Sequence, residues 1–264
     1  LSFELTGKIR DISVDIGDKV SAGQVLALLD TSELENEITE SETNLESQLM
    51  KLDELTNEDQ NENKIDSINS EYLSVLKKAY TTADDILKNK VDIFIDDPNS
   101  RFPDFSKALG DYFIRQDIND QRYQLGLSFE EWANYNDEIT IKNINIEDGQ
   151  YNIQKLKELE KILETISSGS EEMEPAGLIT QPQIDAYISG ISNSRKSVAN
   201  LIVDINKTAE SVRDTIAEIP VLKSNVENAK ATISKLNSRK DKYTLVAPFD
   251  GVVTEREIEI GEIS

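Results

Sequence analysis

The chain has 264 residues, with 51 acidic against 28 basic side chains, a net charge of −23, and neither cysteine nor histidine. That field repels phosphate backbones and anionic headgroups, which argues against nucleic acid as a partner and against peripheral binding to an anionic membrane. Disulfides, thiolate nucleophiles, imidazole bases and zinc sites of the usual kind are excluded with the missing residue types. An apolar content of 38% beside 30% charged residues suits a surface-rich, elongated molecule. The longest apolar run, Val25 to Leu29, falls far short of the roughly 20 residues that span a bilayer. Leu1 is not Met, no secretion signal leads the chain, and the last residues follow a Gly-Glu turn, so the sequence reads as an excised fragment.

The first 30 residues read as short strands. Ile9, Ile12, Val14, Ile16 and Val20 supply apolar positions around Gly17-Asp18, and Val25, Leu26, Leu28 and Leu29 form a further strand. Gly7, Gly17 and Gly23 fall where the backbone reverses. A helix start follows at Ser32, where Glu35 three residues on makes a capping-box pattern. Leu34, Ile38, Leu45, Leu49, Leu52 and Leu55 keep helical spacing until the polar stretch from Asn57 to Asn63. A second helical run carries Ile65, Ile68, Tyr72, Val75, Leu76, Ala79, Ala83, Ile86 and Leu87 on one face.

Residues 97–148 differ in character. More than half of the chain's aromatics lie between Phe94 and Tyr135, Pro98 and Pro103 flank the start, and Ser128 with Glu131 signals a short helix. Two readings stand side by side: a small core sealing the end of a bundle, and a docking tip built from Arg101, Phe102, Phe105, Tyr112, Phe113 and Trp132, since aromatics and Arg anchor interfaces. Arg115 and Arg122 are also available there. Asp96, Asp97, Asn99 and Asp104 offer oxygen ligands of the kind calcium takes, but their spacing matches no EF-hand and the prolines favour an ordinary turn. No metal site is expected.

A third run, from Gln150 to Ile166, carries Ile153, Leu156, Leu159, Leu163 and Ile166, and a polar loop from Ser167 to Thr180 ends it. The last helix opens with Thr180 and Gln183 as a capping box and Pro182 in the first turn. Ile184, Ile191, Val198, Ile205, Val212, Ile219, Val226 and Ile233 then recur every seven residues, all β-branched, which predicts helices wound about one another. The positions three residues later include Ser194, Thr208 and Thr215, too small and polar for a two-helix seam and suited to a bundle. Pro220 is expected to kink or break this helix. The final segment returns to strands: Leu245 and Val246, a Pro248-Phe249-Asp250-Gly251 turn, then Val252, Val253, Ile258 and Ile260 before Gly261.

Neither strand-rich end can cover its own apolar face, so 1–30 and 243–264 are expected to close on each other as one domain. Residues 31–242 must then leave and return at nearly one point as an antiparallel helical insertion. Its expected parts are a stalk pairing 32–57 with 221–240, a bundle of 65–96, 150–167 and 182–218, and the aromatic segment 97–148. The fold class is α+β and mostly α: a long helical hairpin or bundle set into a split β domain.

The first end resembles the lipoyl/biotinyl-type barrel-sandwich hybrid in its Gly-x-Ile, Val-x-x-Gly-Asp-x-Val and Gly-x-x-Leu pattern, and the second resembles that family's Ala-Pro-x-x-Gly-x-Val portion. Cofactor-carrying members place a modifiable lysine on a hairpin between the halves. Here the insertion replaces that hairpin and Lys242 sits at a helix end, so the resemblance implies no lipoyl or biotinyl cofactor. A split lipoyl-like domain with a helical hairpin in the gap resembles the HlyD-like periplasmic adaptor, or membrane fusion, proteins of bacterial efflux pumps and secretion systems. What that resemblance implies is a non-enzymatic adaptor of an inner- or cytoplasmic-membrane transporter, either an ABC-type or a proton-driven permease. In its full-length form it would be a homo-oligomeric ring, extracytoplasmic in the periplasm or at the cell surface, reaching the membrane through an N-terminal anchor outside this sequence. The family's Arg, Leu and Ser tip pattern is missing: seven residues after Arg195 stands Ile202. Docking to an outer-membrane duct is therefore not implied. The competing readings are an extracytoplasmic helical-bundle ligand sensor and a lipoyl or biotinyl carrier.

Overall fold

The computed structural model describes residues 1–56, 63–105 and 109–264. Seven short strands and five long helices follow in the order β1 (Ile9–Ile12), β2 (Lys19–Val20), β3 (Val25–Leu29), α1 (Ser32–Thr56), α2 (Lys64–Ile86), β4 (Ile95–Asp96), β5 (Asp104–Phe105), α3 (Tyr112–Glu138), α4 (Ile146–Ser168), α5 (Gln181–Asp241), β6 (Thr244–Val246) and β7 (Gly251–Val252). They form two compact units, Leu1–Asn57 with Glu218–Ser264, and Glu58–Ala217.

In the first unit the two ends of the chain interleave. One sheet has the order β1-β3-β6 and a second pairs β2 with β7, all antiparallel. Ala27 faces Leu245 and Leu28 faces Thr244 across β3 and β6, and Lys19 faces Val252 across β2 and β7. The turns are tied in the same way. Gly17 donates to Val253, Gly23 to Ala247, and Ile9 to Glu262, each at 2.7–2.8 Å between backbone atoms. The Ala22 N–H donates to the Asp250 carboxylate at 2.7 Å, which secures the Asp-Gly turn. Gly17 and Gly23 have φ of 97° and 82°, a backbone conformation that glycine adopts without steric cost. Ile9, Ala27 and Leu29 are buried between these strands.

Helix α1 begins directly after β3. At its start the Asp30 carboxylate accepts from the Ser32 N–H and hydroxyl at 3.0 and 2.6 Å, so the expected Ser32–Glu35 capping box is replaced by an Asp30–Ser32 contact. The Thr31 carbonyl accepts from the Glu35 N–H at 2.8 Å, and its hydroxyl donates to the Glu35 carboxylate at 3.0 Å. Within the same unit Leu34, Ile38 and Leu55 of α1 are buried, as are Leu222, Val226 and Ala229 of α5.

Helix α5 runs unbroken from Gln181 to Asp241 with Pro220 inside it. The expected break is absent. The proline falls beside the exposed residues 216–218, where water can take the carbonyl that its missing N–H leaves free. Of the capping box expected at its start one half forms, the Thr180 N–H and hydroxyl both donating to Gln183 Oε1 at 2.8 Å, while the Gln183 N–H goes to the Thr180 carbonyl at 3.1 Å.

The second unit is a bundle of four helices, not three. Its core joins Tyr72, Leu76 and Ala83 of α2, Ile118, Leu125 and Trp132 of α3, Leu156, Leu159 and Ile162 of α4, and Ile184, Ile191, Val198, Ile205 and Val212 of α5. Residues 112–138, expected within an aromatic tip, form α3, capped by Asp111 through the Ile114 N–H at 2.9 Å. Ser128 lies in the middle of that helix and caps nothing. The second helical run, expected to reach residue 96, leaves α-helical geometry after Ile86. A π-helical turn, Leu87–Val91, and a 3-10 turn, Asp92–Phe94, lead into the β4–β5 hairpin. Helix α4 carries a full capping box, with Asn145 accepting from Glu147 N at 2.8 Å and Asp148 from Asn145 N at 2.6 Å. Asn63 caps α2; the rest of the polar stretch that separates the first two helical runs lies outside the described residues.

Candidate functional site

The helical insertion is rooted in two paired strands, β3 and β6. Strand β3 passes through Asp30 and Thr31 into α1, and α5 returns through Lys242 and Tyr243 into β6. The Leu29 N–H donates to the Tyr243 carbonyl at 2.9 Å, so the two roots are hydrogen-bonded neighbours. Lys240 meets Glu35 at 3.0 Å and Arg239 meets Glu37 at 4.0 Å, linking α5 to α1 just above the strands. The Lys240 hydrogen bond, then that of Thr31, holds the Glu35 carboxyl below its ordinary range, and the Ser32 hydroxyl does the same for Asp30. Lys242 donates its backbone N–H to Arg239 at 3.1 Å and its ammonium pairs with Glu4 at 3.3 Å. It occupies the closing turn of a helix rather than a hairpin tip.

Farther along this pair of helices the seam changes character. Ser41 and Gln48 take positions between Ile38, Leu45 and Leu52 on α1, and Asn225, Asn228 and Thr232 stand on α5. An open cleft of about 240 Å³ lies among them, lined by hydroxyls and carboxamides.

The bundle places the expected docking residues in two groups. Phe105 and Trp132 are buried in the core and cannot form a tip surface. Phe105 reaches Tyr187, and Trp132 donates its indole N–H to Asn152 at 2.8 Å and meets Tyr80 and Phe129 edge-on. Phe102, Tyr112 and Phe113 are exposed, at 80%, 61% and 81%. Arg101 lies over the Phe102 ring at 5.7 Å, and Arg115 lies 6.0 Å from the Tyr112 ring, which meets Phe113 edge-on at 5.8 Å. The seam residues of α5 divide similarly: Ile184, Ile191, Val198, Ile205, Val212 and Val226 are buried, while Ile219 and Ile233 are half-buried. Ser194 and Thr208 turn their hydroxyls onto their own helix, to Gly190 at 2.8 Å and Asp204 at 2.9 Å, which frees the small side chains to admit neighbouring helices.

Sequence reasoning missed a polar ladder between α3 and α4. Tyr135 donates to Asp148 at 2.6 Å, Asn136 and Asn152 meet, and Lys155 donates to Ser128 at 2.8 Å and Glu131 at 3.3 Å, while Ser128 donates to Glu158. Ser128 thereby links Lys155 to Glu158, accepting from the ammonium and donating to the carboxylate. A second omission is the pair of Arg122 with Asp92, at 2.6 and 2.9 Å, whose side chains are 3% and 10% exposed. Among the described residues no group of three or more carboxylates could hold a metal ion, and the acidic stretch at Asp96 to Asp104 is a hairpin with Asp97 at φ 49°.

The model of the CzcB-like barrel-sandwich hybrid domain family matches residues 2–263. No curated protein matches the chain in sequence. Among solved structures, the periplasmic adaptor protein EmrA is 20% identical, with a TM-score of 0.50, over 100% of this chain and 67% of its own. The soluble domain of LipC, a membrane fusion protein of a type I secretion system, is 15% identical, with a TM-score of 0.43, over 100% of this chain and 94% of its own. At 20% identity the likeness to EmrA speaks for a shared fold, and the family match covers both strand-rich ends together with everything between them. The chain belongs to the CzcB-like barrel-sandwich hybrid domain family.

Proposed function

We propose that the protein is a non-enzymatic adaptor subunit of a membrane efflux or secretion transporter, working outside the cytoplasm. The observation that carries this reading is the β3–β6 register, which roots α1 and α5 in adjacent strands of one small sandwich. In such a part the sandwich packs beside its neighbours in a ring, and the helices of the insertion, fixed at both roots, hold a further component in place. The partner is an inner- or cytoplasmic-membrane transporter of the ABC or proton-driven kind. The name of EmrA as a periplasmic adaptor and the family match both support the role. So does the chemistry at Lys242, whose ion pair and helical turn differ from the hairpin tip of a carrier domain.

The test is purification of the full-length protein from cells that also make a candidate inner- or cytoplasmic-membrane permease. Co-elution with the permease and a self-associated adaptor are expected. A strictly monomeric protein that leaves the permease behind would end the proposal.

A further inference from the structure

In the first compact unit α1 and the last turns of α5 form a two-helix stalk whose two flanks differ in chemistry. Ile38, Leu45 and Leu52 are the inward stripe of α1. At about 100° per residue, Ser41, Asn44 and Gln48 fall on one flank of that stripe, and Glu35, Glu42 and Glu46 fall on the other. Ser41, Asn44 and Gln48 share the open cleft of about 240 Å³ with Asn225, Asn228 and Thr232 of α5. Lys51 of α1 and Lys235 of α5 extend this flank at helical spacing, and no carboxylate interrupts it along the cleft. Its hydroxyls, carboxamides and ammonium groups all donate hydrogen bonds.

The opposite flank accepts them. Glu35 is taken by Lys240 at 3.0 Å, and Glu227 holds Lys230 at 2.9 Å, which leaves Glu42, Glu46 and Asp53 against Lys223, a net negative strip. Among the described residues neither Lys51 nor Lys235 has a carboxylate within ion-pair distance, and neither Glu42 nor Glu46 has a cation. Glu42 and Glu46 bracket Asn44 in the chain, so they stand at the height of the cleft.

We propose that the stalk is a contact between copies of this chain: the cleft flank of one copy receives the Glu42–Glu46 flank of the next, side by side and pointing the same way. The donor and acceptor strips lie at one height on one molecule, so a sideways repeat satisfies both, and a head-to-tail repeat of this kind can close into a ring. Pairing like flanks does not. Two acidic strips repel one another, and two cleft flanks leave both rows of carboxylates unmet. The inference deepens the adaptor reading, on whose ring it rests, by naming the face through which neighbours meet.

The test uses the full-length protein in a background without other cysteines; residues 1–264 contain none. One chain carries Asn228→Cys and a second, tagged chain carries Glu46→Cys, both at exposed positions. The two are made in the same cells and treated with a short bismaleimide. A mixed dimer is expected, and neither variant alone should cross-link to itself. Glu42→Lys in the tagged chain should cut the yield several-fold, as reversal of an exposed ion pair does. Lys235→Glu in the other chain should restore it, with helical circular dichroism unchanged in every variant. No mixed dimer, a dimer from either variant alone, a cross-link from position 228 to a different protein in its place, or a yield indifferent to Glu42→Lys would each overturn the proposal. Protein that self-associates and co-elutes with a permease but gives no mixed dimer would overturn the stalk contact and leave the adaptor reading standing. A mixed dimer from protein that retains no permease would support the contact and count against the adaptor reading alone.

Discussion

Leu29 and Tyr243 are joined by a backbone hydrogen bond of 2.9 Å, although the whole helical insertion lies between them in the chain. The Leu29 side chain is fully buried. Leu29→Ala should therefore destabilise the sandwich by about 2–5 kcal/mol, the usual range for a truncated core leucine. Hydrogen exchange should quicken at Ile9 and Ala27. Trp132, buried in the other compact unit, should keep its urea midpoint. Unchanged protection at Ile9 and Ala27 would show that the strands do not depend on this contact.

Gly149 and Tyr72 set how closely α4 approaches α2. A Cβ at Gly149 would stand 1.9 Å from the Tyr72 hydroxyl oxygen, so alanine cannot be added without displacing the ring. Gly149→Ala should cost about 1–3 kcal/mol by overpacking, despite the better helix propensity of alanine. Tyr72→Phe removes the clashing atom, so the double variant should be more stable than Gly149→Ala alone. A double-mutant cycle by urea denaturation measures this coupling; additive effects would refute it.

The Arg122–Asp92 pair should respond differently to single and double replacement. Arg122→Met alone strands a buried carboxylate and should cost about 3–5 kcal/mol. Arg122→Met with Asp92→Leu removes both charges and should recover most of that loss. Equal loss in the single and double variants, read from thermal melts, would mean that packing volume rather than charge governs the site.

The bundle should weaken in strong base. Burial first pushes the Tyr72 and Tyr135 hydroxyls up to about 12, aided by the charge of Asp148 at Tyr72 and by the hydrogen bond to Asp148 at Tyr135. Unfolded phenols titrate near 10. Folded values above unfolded ones mean that the contribution is whole below about pH 10 and lost as pH rises through about 12. Melting temperature should fall across that window, and Tyr72→Phe with Tyr135→Phe should flatten the fall. A slope that survives both changes would point to other groups.

Much of this architecture is legible in the residues themselves. Gly17-Asp18 and Asp250-Gly251 mark turns between alternating strands, and the seven-residue repeat from Ile184 marks α5. Helix α3 was hidden because its inward face mixes polar with apolar side chains. Ile118, Arg122, Leu125, Phe129, Trp132 and Asn136 are all buried at helical spacing, yet an apolar count skips Arg122 and Asn136. Counting arginine and asparagine as possible inward residues would have revealed the period. The aromatics pointed two ways for the same reason: Trp132 and Phe105 have partners only the folded bundle supplies, whereas Phe102 and Phe113 do not. The pairing of Arg122 with Asp92 depends on the π-helical turn at Leu87–Val91, a register change with no local sequence signature.

Building the sandwich from both ends of the chain also dictates a timetable for biosynthesis. Strand β3 emerges from the ribosome early, but its neighbour β6 is translated only after the entire helical insertion. Until then the Val25–Leu29 edge has no β6 to cover it, the kind of unpaired apolar strand that invites association between chains. Pairings so distant in sequence also form slowly, which lengthens the time that this edge stays open.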